Sequence, residues 1–219
     1  MRARSGLPRT RCYSDGMAIL LVRHGETVGN RTRIIQVPEI PLNEQGIAQA
    51  ELLAARLVKL GVAHILASDL VRAQMTAAPI ARLTGLPVES SDLLQERNLG
   101  DLRGTPYAEL TMDPFGPDYV PPGGESWDAF HTRVAEAWAL ICARRAQTNG
   151  NLVVVTHGFV CRAILQRHVP DVDSATITQL ENTSLSIIEP SAPYRAQLVN
   201  CIAHLARHDR ASDAPGGSI

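Results

Sequence analysis

Two His-Gly pairs, His24-Gly25 and His157-Gly158, each follow a short run of apolar residues. Imidazole is the side chain best suited to act as a nucleophile or proton carrier near neutral pH. Arg23 precedes the first pair, and its planar guanidinium matches the oxygen atoms of a phosphate or carboxylate. A glycine at such a turn lets backbone N–H groups approach an anion. The combination therefore indicates chemistry on an anionic, phosphate-like substrate.

Arg72, one turn into a predicted helix, adds a second candidate cation for the same chemistry. Phosphoryl transfer needs an in-line nucleophile and stabilisation of the charge on the phosphoryl oxygens. His24 is the candidate nucleophile, because the like charges of Arg23 and Arg72 should lower its pKa and keep it neutral. The further donors expected around the phosphoryl group are His157, Asn30 and the backbone at Gly158.

Glu96, in the polar segment after residue 94, has two interpretations when the residues are considered alone. It could protonate the leaving oxygen and later accept a proton from the attacking water, as one carboxyl group can do both. It could instead be a solvated loop residue that pairs with Arg97 or Arg103. Asp101 and Glu26 are alternative candidates for the acid. The choice stays open at this point.

The elements that position these residues follow from the apolar pattern. Segments 18–22 and 152–155 are short and continuously apolar, which is typical of buried parallel strands. Helices with apolar positions three or four residues apart alternate with the strands. The predicted helices begin at the caps Asn43, Ser68 and Ser126 and after Gly158, and the first three end near Gly61, Gly85 and Gly150. Pro79 should kink the second of these helices. Further strands are predicted at 62–67, 185–188 and 197–202.

This alternation predicts an α/β fold, specifically a three-layer αβα sandwich with a mostly parallel central sheet. Ligands of such sheets bind beyond the carboxyl ends of the strands, where both His-Gly pairs lie. We expect one domain over residues 17–203, with a disordered extension at 1–16 and a disordered tail at 204–219. The Arg-rich extension could alternatively be an organellar transit peptide, and Met17 could be the start of the folded protein.

Five segments of the chain resemble, in one consistent order from about residue 18 to 202, the motifs of the histidine phosphatase superfamily. This superfamily is also called the phosphoglycerate mutase-like family. The segments are Arg23-His-Gly-Glu-Thr27 with Asn30, Ser68-Asp-Leu-Val-Arg72-Ala73 with Thr76, Glu96 with Gly100 and Gly104, Pro122-Gly-Gly-Glu-Ser126, and Thr156-His-Gly158. One departure is Val37, where the family commonly has glycine, so the loop 33–38 is not expected to follow the family's shape.

The resemblance implies a metal-independent phosphoryl transfer through a covalent phosphohistidine on His24, with no cofactor. It favours the catalytic interpretation of Glu96. The implied partner is a small-molecule phosphomonoester. Zinc held by His24 and His157 is a rival, but no further ligands occur at the spacings that zinc sites commonly show.

The composition of the 219 residues suits a cytoplasmic enzyme with a full-size core: 45% are hydrophobic and 20% charged, and the net charge is -1. The folded part lacks the long run of Lys and Arg that is typical of nucleic-acid binding. No apolar run reaches the roughly 20 residues of a membrane span. The cysteines are far apart, which favours reduced thiols: they are Cys12, Cys142, Cys161 and Cys201. The oligomeric state and the physiological substrate are not specified.

Three functions remain: a phosphatase, a phosphoglycerate or phosphosugar mutase, and an inactive binding domain. The third would require loss of a chemical residue, and all are present. From Gly104 through Thr132 there is no Lys or Arg, so a doubly anionic mutase substrate would find few partners there. Phe159 cannot donate a side-chain hydrogen bond to a carboxylate. These features favour a phosphatase that acts on a bulkier or less acidic phosphomonoester.

Overall fold

The computed structural model describes residues 17–206 except 174, 176 and 178. Within these residues, strands and α-helices alternate and short 3₁₀ turns connect some of them. The elements are β1 Ile19–Arg23, α1 Val28–Thr32, α2 Glu44–Leu57, β2 Val62–Ser68, α3 Val71–Thr84, β3 Val88–Ser91, α4 Trp127–Gln147, β4 Asn151–Thr156, α5 Gly158–His168, β5 Leu185–Ile188 and β6 Ala196–Cys201.

The strands form one sheet in the order β3-β2-β4-β1-β5-β6. The first four of these run parallel to one another, and β5 and β6 are antiparallel to their neighbours. In the centre of the sheet β1 lies beside β4, with Arg23 opposite Thr156. Because the two strands are parallel, His24 and His157 emerge side by side at the same edge of the sheet.

Alternate residues of the central strands pack on opposite faces of the sheet. Ile19 and Leu21 belong to the core with α4 and α5, whereas Leu20 and Val22 belong to the core with α2 and α3. The sheet is therefore buried on both faces between two helical layers. The predicted three-layer α/β sandwich with a mostly parallel sheet is confirmed.

Two of the three predicted helix caps agree with the structure and one does not. The side chains of Asn43 and Ser126 each accept a hydrogen bond from a first-turn N–H, at 2.8 and 3.1 Å. The predicted cap at Ser68 is wrong, because β2 continues through Ser68 and α3 begins after Leu70. Helix α3 continues through Pro79. The Ser68 hydroxyl instead contacts a histidine of the candidate site.

The folded unit extends beyond the predicted boundary at residue 203. His204 is only 7% exposed, and its Nε2 lies 3.1 Å from the hydroxyl of Thr183. Its burial, together with the charge of Arg56, lowers the pKa of His204 to about 4. His204 therefore belongs to the fold and not to a tail, and its contact with Thr183 joins positions 21 residues apart, which no local pattern predicts. The predicted extension 1–16 and the segment 207–219 lie outside the described residues.

No helix in the described part of the chain has both the length and the apolar character needed to cross a lipid bilayer. Cys142, Cys161 and Cys201 are free thiols, and Cys12 lies outside the described residues.

The segment 104–124 covers the carboxyl edge of the sheet and is anchored on one side by the segment 33–35. The N–H of Gly104 donates to the carbonyl of Ile35 at 2.7 Å, and that of Tyr107 donates to Arg33 at 2.9 Å. These bonds fix the segment beside the loop in which Val37 departs from the family pattern.

Arg97 anchors the same segment from the inside. Its guanidinium donates to the backbone carbonyls of Pro114, Tyr119 and Glu125 at 3.2, 2.8 and 3.2 Å. It also lies 3.8 Å from the centre of the Trp127 ring, which is a cation–π contact. Because three carbonyls converge on one buried cation, the irregular segment has a defined path.

Candidate active site

A cavity at the carboxyl edge of the sheet gathers the predicted site residues. Those that line it are Arg23, His24, Asn30, Arg72, Glu96 and Gly158. His157 is fully buried immediately behind them, and its ring centre lies 5.1 Å from that of His24. The structure thus brings residues from five separate segments of the chain to one place.

The imidazole of His24 is held in one tautomer by its own turn. Nδ1 lies 2.7 Å from the carbonyl oxygen of Gly25, and a carbonyl can only accept, so Nδ1 carries the proton. This leaves a lone pair on Nε2. Burial first, and then the charges of Arg72 and Arg23, lower the pKa of His24 well below its ordinary value. The ring is therefore neutral at pH 7, as expected from the flanking arginines, with burial as the larger cause.

Gly25 has a role that differs from the expected one. Its N–H donates to the Thr76 hydroxyl at 3.0 Å, so this N–H is already engaged and does not face an anion. A Cβ at position 25 would lie 2.7 Å from the carbonyl oxygen of Gly46, so the turn needs glycine for close packing on α2. Thr76 in turn donates to the carbonyl of Arg72 at 2.7 Å. The His24 turn is thereby tied to the first turn of α3.

His157 is oriented by Ser68 at the end of β2. The Ser68 oxygen accepts from the N–H of Leu70 at 3.3 Å and lies 2.9 Å from Nε2 of His157. The hydroxyl can donate its own proton to Nε2, and in the tautomer that this bond selects the imidazole proton is on Nδ1. That Nδ1 is buried without a partner among the described residues. It is therefore available as a donor to a ligand.

Arg23 and Arg72 supply two cations whose positions are set by backbone carbonyls. Arg23 donates to the carbonyl of Leu180, and Arg72 donates to that of Val37 at 3.3 Å. The Nε atoms of both arginines are buried and lack a partner within the described chain. Burial lowers the pKa of Arg72 to about 10, so both groups stay charged at pH 7. Together with His157 they form a set of donors that needs an anion.

Asn30 offers its amide nitrogen to the cavity because its amide oxygen is fully engaged. The oxygen accepts from the backbone N–H and the hydroxyl of Thr27, at 3.2 and 3.1 Å, in a capping box at the start of α1. It also accepts from the side chain of Asn182 at 3.3 Å. The amide is therefore oriented with its donor end free for a ligand.

Asn182 is a site residue that the sequence analysis missed. Besides Asn30, its side chain donates to the backbone carbonyl of His24 at 3.0 Å. The N–H of Thr183 donates to the same carbonyl at 3.3 Å. Because β5 is antiparallel to β1, the residues before β5 reach the same sheet edge as the residues after β1. The polar run 181–184 ahead of a buried strand was the signal that could have located it.

Glu96 lines the same cavity as His24 and is held by the start of α5. Both carboxylate oxygens accept from the N–H of Phe159, at 3.2 and 3.1 Å. Burial raises the pKa of Glu96, and the Phe159 N–H and the charge of Arg72 oppose this in part. No ion pair joins Glu96 to Arg97 or Arg103 in the described structure. A carboxyl group with a raised pKa in this position can serve as a proton donor.

The two alternative acids lie outside the lining of this cavity. Glu26 bonds to Arg31 at 3.0 Å and to Asn43 at 2.7 Å. Asp101 is exposed on the far side of its turn, next to Gly123. Neither carboxylate therefore faces the reacting groups.

The cavity also contains cations that the sequence analysis did not assign to it. Arg103 and Arg162 both line it, and the charge of Arg103 is close enough to lower the pKa of Arg72. The segment 104–132 carries no Lys or Arg, as the sequence indicates, but it is not the only contributor to the lining. The absence of cations in that segment is therefore a weaker argument against an acidic substrate than it was in the sequence analysis.

Among the described residues, no group of three or more His, Cys, Asp or Glu side chains is arranged so that it could hold a metal ion. The site instead presents a neutral imidazole, two guanidinium groups and a protonatable carboxyl group around one cavity. Fold and site together define an α/β protein with a candidate anion-binding centre at the carboxyl edge of its sheet. The chain belongs to the histidine phosphatase superfamily, branch 1, whose family model matches residues 19–200.

Comparison with known proteins agrees with this family. The chain is 36% identical over 186 residues to phosphoglycerate mutase-like protein 4 of Arabidopsis thaliana, covering 79% of each protein. A solved mycobacterial glucosyl-3-phosphoglycerate phosphatase superposes with a TM-score of 0.73 at 26% identity, over 84% of this chain and 99% of that one. The alpha-ribazole phosphatase from Shigella flexneri superposes with a TM-score of 0.74 at 25% identity, over 85% of this chain and 98% of that one. The predicted family is confirmed, and its neighbours include phosphatases and mutase-like proteins.

Proposed function

We propose that this protein hydrolyses a small phosphomonoester without a metal ion, through a phosphohistidine on His24. The observation that supports this most directly is the state of His24: Nδ1 is locked on a carbonyl, and the nucleophilic Nε2 is left free in a neutral ring. Three buried nitrogens without partners, on Arg23, Arg72 and His157, lie around it in the described chain. A phosphoryl group supplies the acceptors that these donors lack.

The proposed reaction has two steps. In the first, Nε2 of His24 attacks phosphorus, the bond to the leaving oxygen breaks, and the protonated carboxyl of Glu96 gives its proton to that oxygen. In the second, water attacks the phosphohistidine, the N–P bond breaks, and the Glu96 carboxylate accepts a proton from the water. Arg23 and Arg72 stabilise the charge on the phosphoryl oxygens in both steps, and His157 and Asn30 donate to the same oxygens.

A phosphoglycerate mutase is the second candidate. It is supported by the Arabidopsis relative and by Arg103 and Arg162, which could hold a second anionic group. We favour the phosphatase because the segment that covers the cavity contributes the rings of Tyr107 and Phe115 and no charge. A coupled assay of 3-phosphoglycerate conversion to 2-phosphoglycerate, with bisphosphoglycerate as primer, distinguishes the two. Interconversion that is faster than phosphate release would overturn the hydrolase assignment.

The covalent intermediate is the direct test of the proposal. Brief reaction with a phosphomonoester, followed by alkaline quenching and peptide mass spectrometry, should locate an acid-labile phosphate on His24. His24→Ala should lose this label and lower kcat by about a thousandfold or more. Activity should persist in EDTA, because guanidinium groups replace a metal as the charge clamp. Near-normal turnover by His24→Ala, or loss in EDTA with recovery on adding a divalent ion, would contradict the mechanism.

A further inference from the structure

The leaving-group side of the cavity can be located from Glu96. In an in-line displacement the nucleophile and the leaving oxygen lie on opposite sides of phosphorus. With His24 as the nucleophile, the alcohol part of the substrate must therefore extend past Glu96. The residue that holds the Glu96 carboxylate is Phe159, through its N–H. The side chain of Phe159 accordingly begins on the side where the alcohol leaves.

Aromatic rings form this side of the cavity. Phe159, Phe115 and Tyr107 all line it, and successive ring centres lie 5.2 and 5.7 Å apart. The charge of Glu96 acts on the pKa of Tyr107, which places this ring near the acid as well. We call these three side chains the ring wall. The wall therefore runs beside the acid from α5 to the segment that covers the cavity.

The ring wall differs from an ordinary piece of core. Each of its three rings is partly exposed, whereas Phe130, the remaining phenylalanine of the chain, is fully buried under Trp127. Part of the apolar surface of the ring wall thus faces the cavity, and the rest packs on other side chains. Tilted and edge-to-face contacts are the arrangement in which aromatic rings attract one another, and an additional planar ring can join them in the same way.

Arginine side chains flank the ring wall. The guanidinium carbon of Arg162 lies 5.9 Å from the centre of the Phe159 ring, and that of Arg33 lies 5.6 Å from the centre of the Tyr107 ring. The wall therefore offers flat aromatic faces, one phenolic hydroxyl and neighbouring cations. Such faces suit a leaving group that carries a planar ring.

We infer that the ring wall is a binding subsite for an aromatic ring in the alcohol part of the substrate, with Phe159 as its specificity-determining residue. The inference rests on the proposed function, since it needs Glu96 on the leaving-group side. It narrows the substrate class to phosphomonoesters of alcohols that carry a planar ring close to the ester oxygen.

Three phosphate monoesters of primary alcohols test the subsite: benzyl phosphate, cyclohexylmethyl phosphate and ethyl phosphate. All three leave as alkoxides that need a proton, so the dependence on Glu96 is shared. The first two have similar bulk and differ in planarity. For the wild-type protein, kcat/KM should be highest for the benzyl ester. Cyclohexylmethyl phosphate hydrolysed as fast as benzyl phosphate would show that bulk and not a flat ring is recognised, and would overturn the inference.

Phe159→Leu retains apolar bulk and the backbone N–H but removes the ring. It should lower the benzyl-to-ethyl ratio of kcat/KM by about two- to tenfold, and Phe115→Leu should lower it in the same direction. Phe130→Leu is the matched control, because it removes a buried ring that does not line the cavity, and it should retain the wild-type ratio. If the benzyl-to-ethyl ratio is unchanged in Phe159→Leu, while Phe130→Leu is folded and active, the inference of a ring subsite is wrong.

The outcome for the subsite can be separated from the outcome for the proposed function. Hydrolysis of all three esters at equal kcat/KM would retain the phosphatase and eliminate the ring subsite. Turnover of none of them, with no phosphate found on His24, would contradict both. A benzyl preference that is lost in Phe159→Leu supports both.

Discussion

The two halves of the cavity are built from different kinds of structure. The half that would hold the phosphoryl group comes from the ends of β1, β2 and β4 and the first turns of α3 and α5, and its histidines and Arg72 are almost fully buried. The half that would hold the alcohol combines Phe159 of α5 with Tyr107 and Phe115 of the irregular segment 104–124, and these side chains remain partly exposed. The contrast suggests that the sheet sets the chemistry, and that changes in the covering segment can alter the choice of substrate without moving the sheet.

Glu96 lies between the two halves. Of the substitutions of Glu96, Asn182 and Arg97, that of Glu96 should have the largest effect on activity. Glu96→Gln should lower kcat/KM for alkyl phosphates by about a hundred- to ten-thousandfold, and much less for aryl phosphates, whose leaving oxygen hardly needs a proton. Because burial raises the pKa of Glu96, the protonated form persists to higher pH than for an ordinary Glu. Wild-type rates on alkyl phosphates should therefore decline as pH rises through this raised pKa.

The pH profile adds a second check on Glu96. The lowered pKa of His24 keeps the nucleophile neutral well into the acid range, so the decline on the alkaline side should belong to Glu96 alone. This alkaline decline in rate should be weak with an aryl phosphate. Asp101→Asn, which alters an exposed carboxylate outside the cavity, is the matched control and should behave as the wild type. Equal losses of Glu96→Gln on alkyl and aryl phosphates would indicate a structural role.

Asn182 tests the phosphoryl half by itself. Asn182→Ala removes the donor that bonds to the His24 carbonyl and to Asn30, so both groups lose part of their orientation. We expect kcat to fall by about five- to tenfold. The factor should be the same for alkyl, benzyl and aryl phosphates, because each of them uses this half. A loss that depends on the leaving group, or one confined to thermal stability with kcat unchanged, would show that Asn182 does not position the nucleophile.

Substitution of Arg97 tests the alcohol half of the cavity, and its expected effect on activity is the smallest. Arg97→Met removes two hydrogen bonds to carbonyls of the covering segment, a third to the carbonyl of Glu125, and the cation–π contact with Trp127. The benzyl-to-ethyl ratio should fall by about threefold, and amide hydrogen exchange over residues 105–120 should become faster. Arg144→Met, which breaks an ion pair with Glu89 on β3, is the control and should leave that exchange unchanged. Unaltered exchange in Arg97→Met would show that other contacts hold the segment.

The phosphoryl half was largely predictable because its positions follow local patterns. The apolar runs before His24 and His157 identify buried parallel strands, and parallel strands place their carboxyl ends together. Asn43 and Ser126 are caps that act within a single turn, so they too could be located from the sequence. The cap contacts lie a few residues away along the chain, and the meeting of the strand ends follows from a general rule of parallel sheets.

The remaining features depend on approaches between distant segments. Ser68 is a residue type that often caps helices, but it is the last residue of β2, and its hydroxyl contacts His157, which follows the neighbouring strand β4. Asn182 reaches His24 only because β5 is antiparallel, a direction that an apolar run does not reveal. For Arg97 the sequence offered only an alternative pairing with Glu96, whereas the carbonyls that it binds come from a stretch without regular structure. Single-sequence patterns carry no information on such contacts.

The contact between Gly25 and Gly46 has a consequence for the evolution of this chain. A methyl group at Gly25 would collide with the Gly46 carbonyl, and one at Gly46 would collide with the backbone of Glu26. Neither collision can be relieved by a side-chain rotation, because backbone atoms are involved on both sides. At Gly104, by contrast, an added methyl group meets nothing within 4 Å, and the cost comes only from a φ of 86°. Among descendants of this sequence, positions 25 and 46 should therefore change more slowly than position 104, and a change at one cannot be compensated by a change at the other.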